Sequence, residues 1–196
     1  MSSGNSAEWQ TLIKEKEFND LLLEWNKKIN LVSRKKTEVT DLIEDSKLFF
    51  DAIDFTRGTS ILDLGTGGGF PGIVIAIHHP KANLTLVDSI QKKINVVTDV
   101  VKKLSLENVN VICSRAEELA ENPEYKNKYD FVTARSVAVL QDLAKWSKEL
   151  LKPNGKLVTV KGGDITGEIS KTRRLEFVKN VTLKDKGERK IVVVEF

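Results

Sequence analysis

Apolar residues in the first sixty positions recur at helical spacing. Trp9, Leu12, Ile13, Leu21, Leu22 and Trp25, with Lys and Glu between them, predict an amphipathic helix over 7–28. Val39, Leu42, Ile43, Ser46, Phe49, Phe50 and Ile53 line one side of a second helix over 38–53. The joining segment from Asn26 to Lys36 is polar and basic, and no strand signal precedes residue 59. The pattern then changes to short apolar runs bounded by turn residues. These predict strands over 60–64, 83–87, 109–113, 129–134 and 156–160, alternating with helices over 71–78, 90–105, 115–120 and 137–151. Pro71 opens the first of those helices, a position that tolerates proline. Pro153-Asn154-Gly155 is a turn signal before the fifth strand. A helix over 164–177 and strands near 178–184 and 190–196 follow, the last two separated by Asp185-Lys186-Gly187-Glu188. Alternating strands and helices imply an α/β fold with a parallel sheet covered on both faces. A connection as short as the last one requires an antiparallel hairpin. The expectation is a mostly parallel, seven-stranded sheet ending in a hairpin, with residues 1–57 as a helical cap on a unit spanning 58–196.

The composition narrows the class. A chain of 196 residues with 40% hydrophobic and 30% charged residues suits one folded domain and excludes a mostly disordered chain. Its single cysteine forbids an internal disulfide and points to a reducing, cytoplasmic setting. The apolar runs are far shorter than the roughly 20 residues a membrane helix needs. Met1 to Ser6 lacks an apolar signal core, so secreted and membrane-bound classes are not expected. The net charge of +3 hides an asymmetry: residues 145–196 carry thirteen basic against seven acidic groups. A basic region of this kind either attracts a polyanion such as nucleic acid or is an ordinary solvated surface.

The segment Ile61-Leu62-Asp63-Leu64-Gly65-Thr66-Gly67-Gly68-Gly69-Phe70-Pro71-Gly72 sits between the first parallel strand and its helix. Ligands of open α/β sheets bind at the carboxyl ends of strands, and glycines there let the backbone approach them closely. Asp88 closes the second strand, where a carboxylate can accept both ribose hydroxyls of an adenosine. Gly67, Gly69 and Gly72 spell the dinucleotide G-x-G-x-x-G, but Phe70 and Pro71 fall where the helix should already pack on the strand. Gly65, Gly67 and Gly69 spell G-x-G-x-G directly after Asp63, a register similar to motif I of the S-adenosylmethionine-dependent methyltransferases. A sulfonium cofactor has no pyrophosphate to place on a helix N-terminus. Asp63 can instead meet its ammonium group, directly or through water. Cys113-Ser114-Arg115-Ala116-Glu117-Glu118 follows the third strand, where backbone amides and carboxylates could read an adenine edge.

Taken together, the chain resembles the bacterial small-subunit ribosomal RNA guanine-N7 methyltransferase G family, also called glucose-inhibited division protein B. The resemblance rests on Trp25 to Ser33, Asp45-Ser46, Leu62 to Gly72, Val87-Asp88-Ser89, Arg115 to Glu118, Thr133 to Ala138, Lys161-Gly162 and Gly187 to Val193, in family order. It implies a Rossmann-like class I methyltransferase domain and S-adenosyl-L-methionine as cofactor. The implied pocket uses Gly65, Phe70, Ala116, Glu117 and Arg135, with Asp88 on the ribose; Asp63, Gly67, Gly69 and Ser89 are the further candidate cofactor-binding residues. The implied substrate is 16S rRNA, free or in a small-subunit assembly intermediate, acted on by a cytoplasmic monomer that needs no metal and no membrane. Asp41 and Leu42 stand where the family often has Arg-His, and Ser136 where alanine is commoner.

Guanine N7 has a free lone pair and no proton, so its methylation needs positioning rather than a general base. No base–nucleophile pair stands out in the sequence. His78 and His79 read as surface or helix-end residues. Thr133-Ala134-Arg135-Ser136 replaces the N-P-P-Y-like segment used on adenine amino groups. Cys113, the one thiol that pyrimidine-carbon methylation could use, lacks an adjacent base and reads as a buried structural residue. Arg135 is a candidate catalytic residue toward cofactor, base or phosphate, with an ion pair to Asp63 or Glu117 as the other reading. Lys161, beside Gly162 and Gly163, is the second candidate, toward a phosphate. Lys27, Lys28, Arg34, Lys35 and Lys36 either extend an RNA surface or form a solvated loop. Trp9, Trp25 and Trp146 read as packing residues. The alternatives are a small-molecule methyltransferase, an NAD-dependent oxidoreductase using the overlapping glycine triplet, and a non-catalytic RNA-binding or ribosome-assembly factor.

Overall fold

The computed structural model describes residues 3–196, with side chains from Ser6 onward. Met1 and Ser2, part of the stretch read for a signal core, lie outside the described residues. Two helices, α1 (Ser3–Asn26) and α2 (Thr40–Lys47), come first, and a 3-10 turn over Leu48–Asp51 continues α2. The alternating unit follows as β1 (Ser60–Leu64), α3 (Gly72–His78), β2 (Asn83–Asp88), α4 (Gln91–Lys103), β3 (Val109–Cys113), α5 (Ala116–Glu121), β4 (Tyr129–Arg135), α6 (Leu140–Leu150), β5 (Leu151–Gly162) and α7 (Thr166–Thr172). The hairpin of β6 (Asn180–Lys186) and β7 (Arg189–Glu195) ends the chain.

The seven strands form one sheet in the order β3-β2-β1-β4-β5-β7-β6. The first five are parallel, and β7 is antiparallel to both β5 and β6. The chain leaves β1 outward to β2 and β3, then returns to β4 on the other side. The loop after β1 therefore lies at the switch point of the sheet, where such folds open a crevice.

Side chains of each strand sort by parity onto two faces. Ile61, Leu84, Leu86, Val158 and Val160 join one core with α1–α4. Leu62, Leu64, Val87, Val132 and Leu157 join the other with α5–α7. Ile61, Leu62 and Leu64 are at most 1% exposed, which explains why β1 reads as a continuous apolar run. Phe18 and Leu22 of α1 are fully buried in the first core, each worth roughly 1.5–3 kcal/mol of apolar burial. The segment before residue 58 thus shares the core of the sheet.

Four local expectations are corrected. Trp9 does not pack, being 61% exposed, because the buried stripe of α1 runs through Glu15, Phe18, Leu22 and Asn26. Cys113 is exposed, since it ends an edge strand. The Pro153-Asn154-Gly155 turn is a bulge inside β5: Leu151 already pairs with Tyr129, and pairing resumes at Phe131 with Lys156. Past Thr172 the chain closes tight turns, Leu175 N on the Thr172 carbonyl and Val178 N on the Leu175 carbonyl, so α7 is shorter than the 164–177 helix expected.

Candidate active site

Two carboxylates brace the glycine loop. Asp88, the last residue of β2, accepts from Gly67 N through Oδ2 (3.0 Å) and from Ile90 N through Oδ1 (2.9 Å). The Lys93 ammonium stands 3.6 Å from Oδ2. Two amides leave part of the carboxylate's acceptor capacity free, and Asp88 lines a cleft of about 320 Å³. Gly65, Ser89, Ala116, Glu117, Val137 and Trp146 are among the other residues of its wall. Gly65 has φ +72°, and a Cβ there would sit 2.6 Å from the Val137 side chain, so only glycine fits this turn beside the cleft.

Asp63, one residue before the end of β1, points into the core shared with Ile61 and Leu86. It is fully buried, accepting from Gly72 N (3.0 Å) and from the Thr133 hydroxyl (3.0 Å). Burial pushes its pKa up to about 6, against the hydrogen bonds from Thr133 and Gly72 and the charge of Arg135. Asp63 therefore anchors the far end of the glycine loop from beneath. It is not among the residues lining the cleft, and its present contacts brace the loop, which leaves a contact to a cofactor ammonium through water as the form of the expectation compatible with this position.

Phe70 is also turned away from the cleft. Its ring lies 5.1 Å from Phe18, and the Arg135 guanidinium stacks 5.3 Å above it. Gly68 is closed in by α1 and the loop after it: a Cβ would meet Leu22 at 3.2 Å and Leu31 at 3.7 Å. Gly69, at φ +104°, packs on Ile73.

Arg135 ends β4 at the carboxyl edge. Its partner is neither Asp63 nor Glu117 but Asp45 of α2, 3.7 Å away. Asp45 simultaneously receives Arg189 of β7 in a bidentate pair, Nε to Oδ1 at 2.9 Å and Nη2 to Oδ2 at 2.8 Å. One carboxylate thus ties α2 to β4 and β7, and one positive charge is left over. Burial pushes the Arg135 pKa down from its ordinary value, while Asp45 and then Asp63 pull it up. Its Nε is buried with no hydrogen-bond partner. The sequence contained Asp45 and Arg189 in the segments of the family resemblance, but nothing in their spacing joined them.

Lys161 is not presented to a phosphate. Its ammonium donates to the Ala138 carbonyl (2.8 Å) and to Glu168 (2.8 Å). Glu168 also accepts from Leu140 N at 2.7 Å. Burial alone would raise Glu168, but Lys161 and Leu140 outweigh it and hold the carboxyl below the ordinary range. Together they fix the 136–140 loop, which supplies Ser136 and Val137 to the cleft wall. Lys161 and Glu168 are positioning residues.

His78 and His79 sit at the other end of α3. His78 Nε2 pairs with Glu15 at 2.6 Å, and His79 stacks on Phe55 at 3.5 Å between centroids. Burial, then the neighbouring His78, pushes the His79 pKa down to about 4. Trp25 is a strut, its indole N–H donating to Asp99 of α4 at 2.8 Å.

The profile of the GidB family, described as rRNA small subunit methyltransferase G, matches residues 12–192. This chain belongs to that family. Relatives named ribosomal RNA small subunit methyltransferase G include one from Desulforamulus reducens, 39% identical over 86% of this chain and 70% of the relative. Another, from Christiangramia forsetii, is 42% identical over 82% of this chain and 77% of the relative. Among solved structures, a SAM-dependent methyltransferase from Aquifex aeolicus is similar with a TM-score of 0.63 and 19% identity, over 85% of this chain and 96% of that one. A SAM-dependent O-methyltransferase from Thermotoga maritima has a TM-score of 0.64 at 14% identity, over 89% and 70% of the two chains. These two likenesses establish the class I methyltransferase fold.

Proposed function

We propose that this member of the methyltransferase G family transfers a methyl group from S-adenosyl-L-methionine to N7 of a guanine in 16S rRNA. The observation that carries the reading is the Asp88 carboxylate, held by Gly67 N and Ile90 N at the lip of a cleft that Gly65 keeps open. The residues fit this cofactor. Asp88 has acceptor capacity left for ribose hydroxyls, Ser89, Ala116 and Glu117 offer polar edges to an adenine, and no cluster of amides suited to a pyrophosphate is required. When bound, S-adenosylmethionine supplies a methyl group on a sulfonium, which is electrophilic without further activation.

The protein's own contribution is positional. Guanine N7 attacks with a lone pair and loses no proton, so no side chain must act as base. This agrees with the histidines lying at the far end of α3 rather than at the carboxyl edge. Arg135, buried against Phe70 and tied to Asp45, offers a guanidinium whose Nε still lacks an acceptor, suited to a base edge or a phosphate. Lys161 and Glu168 hold the 136–140 loop that closes one wall. A cytoplasmic setting accords with an rRNA substrate, and among the described residues no helix is long and apolar enough to cross a membrane.

The test is methyl transfer from labelled S-adenosylmethionine to 16S rRNA and to small subunits from cells lacking this activity, mapped by borohydride–aniline cleavage. A single cleavage site is the expected result. Labelling without cleavage would discard N7. Cofactor binding without labelling would favour a small-molecule acceptor or a non-catalytic assembly factor.

A further inference from the structure

The segment Lys27 to Thr37 holds five basic residues and no carboxylate. It is not a free coil. Asn26, 6% exposed, turns its side-chain carbonyl onto Leu31 N (2.8 Å) and Val32 N (3.0 Å), which fixes the bend after α1. Leu31 packs over Gly68, so the segment lies against the glycine loop, next to the edge where Arg135 emerges. Between α1 and this segment is a groove of about 620 Å³ lined by Leu23, Asn26, Lys27, Arg34, Lys36 and Thr37. No acidic residue lines it. Lys36 is engaged by Asp41, and Lys28 lies 5.1 Å over the Trp25 ring. Lys27 and Arg34 are exposed, and among the described contacts neither pairs with a carboxylate.

We infer that this groove binds the phosphodiester backbone of the substrate RNA beside the target nucleotide, with Lys27 and Arg34 as the phosphate contacts. The inference rests on the proposed rRNA substrate. Three cations and two polar side chains around a preformed groove match a polyanion's backbone, which carries one charge per nucleotide and no sequence information. A phosphate held there would set the register of the RNA on the protein, while the base enters at the carboxyl edge.

Lys27→Ala/Arg34→Ala tests this against Lys171→Ala/Arg174→Ala, which removes the same charge from exposed positions on and after α7. The probe is transcribed 16S rRNA, with binding measured over a salt series alongside melting temperature and S-adenosylmethionine affinity. The groove variant should bind RNA about tenfold more weakly. Its salt slope should fall by about 1.4, from roughly 0.7 per phosphate lost on a single strand. Cofactor affinity and melting temperature should stay at wild-type values, and the control variant should keep the wild-type RNA affinity. Equal losses in the two variants would overturn the groove and leave only net charge. Wild-type binding by the groove variant, with methylation intact, would overturn the groove while sparing the proposed function. Failure of the wild-type protein to bind or methylate the RNA would overturn the proposed function itself.

Discussion

The two ends of the glycine loop are both glycine-rich and have opposite roles. At Gly65 the backbone faces the cleft, and Asp88 holds this end of the loop through Gly67 N. At Gly68–Gly72 the backbone faces the core, and Asp63 holds it through Gly72 N. Each carboxylate lies at or near the end of a parallel strand, and each accepts a loop amide at 3.0 Å. The environment separates them. Asp88 keeps acceptor capacity toward a cleft, whereas Asp63 is sealed among Gly72, Thr133 and Leu86. The glycines differ in the same sense. Gly67 is needed for its φ of +58°, in open space, while Gly72 is needed for room, since a Cβ would lie 2.8 Å from Asp63 Oδ2 and closer still to Leu86. A glycine motif therefore mixes cleft-facing and core-facing positions, and only the structure sorts them.

The largest break in this comparison is Gly72→Ala. The methyl must displace Leu86 or the Asp63 carboxylate, and a loss of about 3 kcal/mol is expected for such overpacking. Urea unfolding measures it; a loss below about 1 kcal/mol would show that the core end is not tightly closed.

Next is the pH dependence set by Asp63. Its folded pKa of about 6 exceeds the ordinary 3.8, so the folded state binds the proton more tightly than the unfolded chain. The stability it contributes is full below about pH 4 and is lost as pH rises through about 6. The loss is on the order of 3 kcal/mol. His79 works the other way: its folded value of about 4 lies below 6.5, so its contribution is full above 6.5 and is lost as pH falls toward 4. The Asp63 part is isolated by subtracting the pH–stability curve of Asp63→Asn from that of the wild type. A flat difference between pH 4 and 7 would contradict the assignment.

The smallest stability effect is expected at Gly67→Ala. No atom crowds the site, so only the left-handed backbone is penalised, by about 1 kcal/mol. The useful result is the ratio to Gly72→Ala in the same unfolding assay; equal losses would erase the distinction between the two ends.

How much of this was legible follows from what periodicity reports. The parallel strands were readable because Ile61, Leu62, Leu86 and Val158 are buried on both faces, leaving unbroken apolar runs. The stripe of α1 was not, because two of its buried positions are polar. Glu15 is satisfied by His78 and Lys47, and Asn26 by two backbone amides, while Trp9, Leu12 and Ile13 are left outside. Gly65, Asp88, Ser89, Ala116 and Glu117, which the sequence places after strands at one sheet edge, line one cleft. The Asp45–Arg135–Arg189 cluster was silent. Its members lie on three elements far apart in sequence, and charged residues leave no periodic trace of their partners.

The central proposal is that Asp88 faces the cofactor and Asp63 does not touch it directly. Titration calorimetry with S-adenosylmethionine on the wild type, Asp88→Ala and Asp63→Asn, at a temperature where all three are folded, tests it most directly. Asp88→Ala should weaken binding about tenfold or more, equivalent to about 1.4 kcal/mol, with Asp63→Asn within about twofold of the wild type. Wild-type affinity in Asp88→Ala, or an equal loss in Asp63→Asn, would contradict the account.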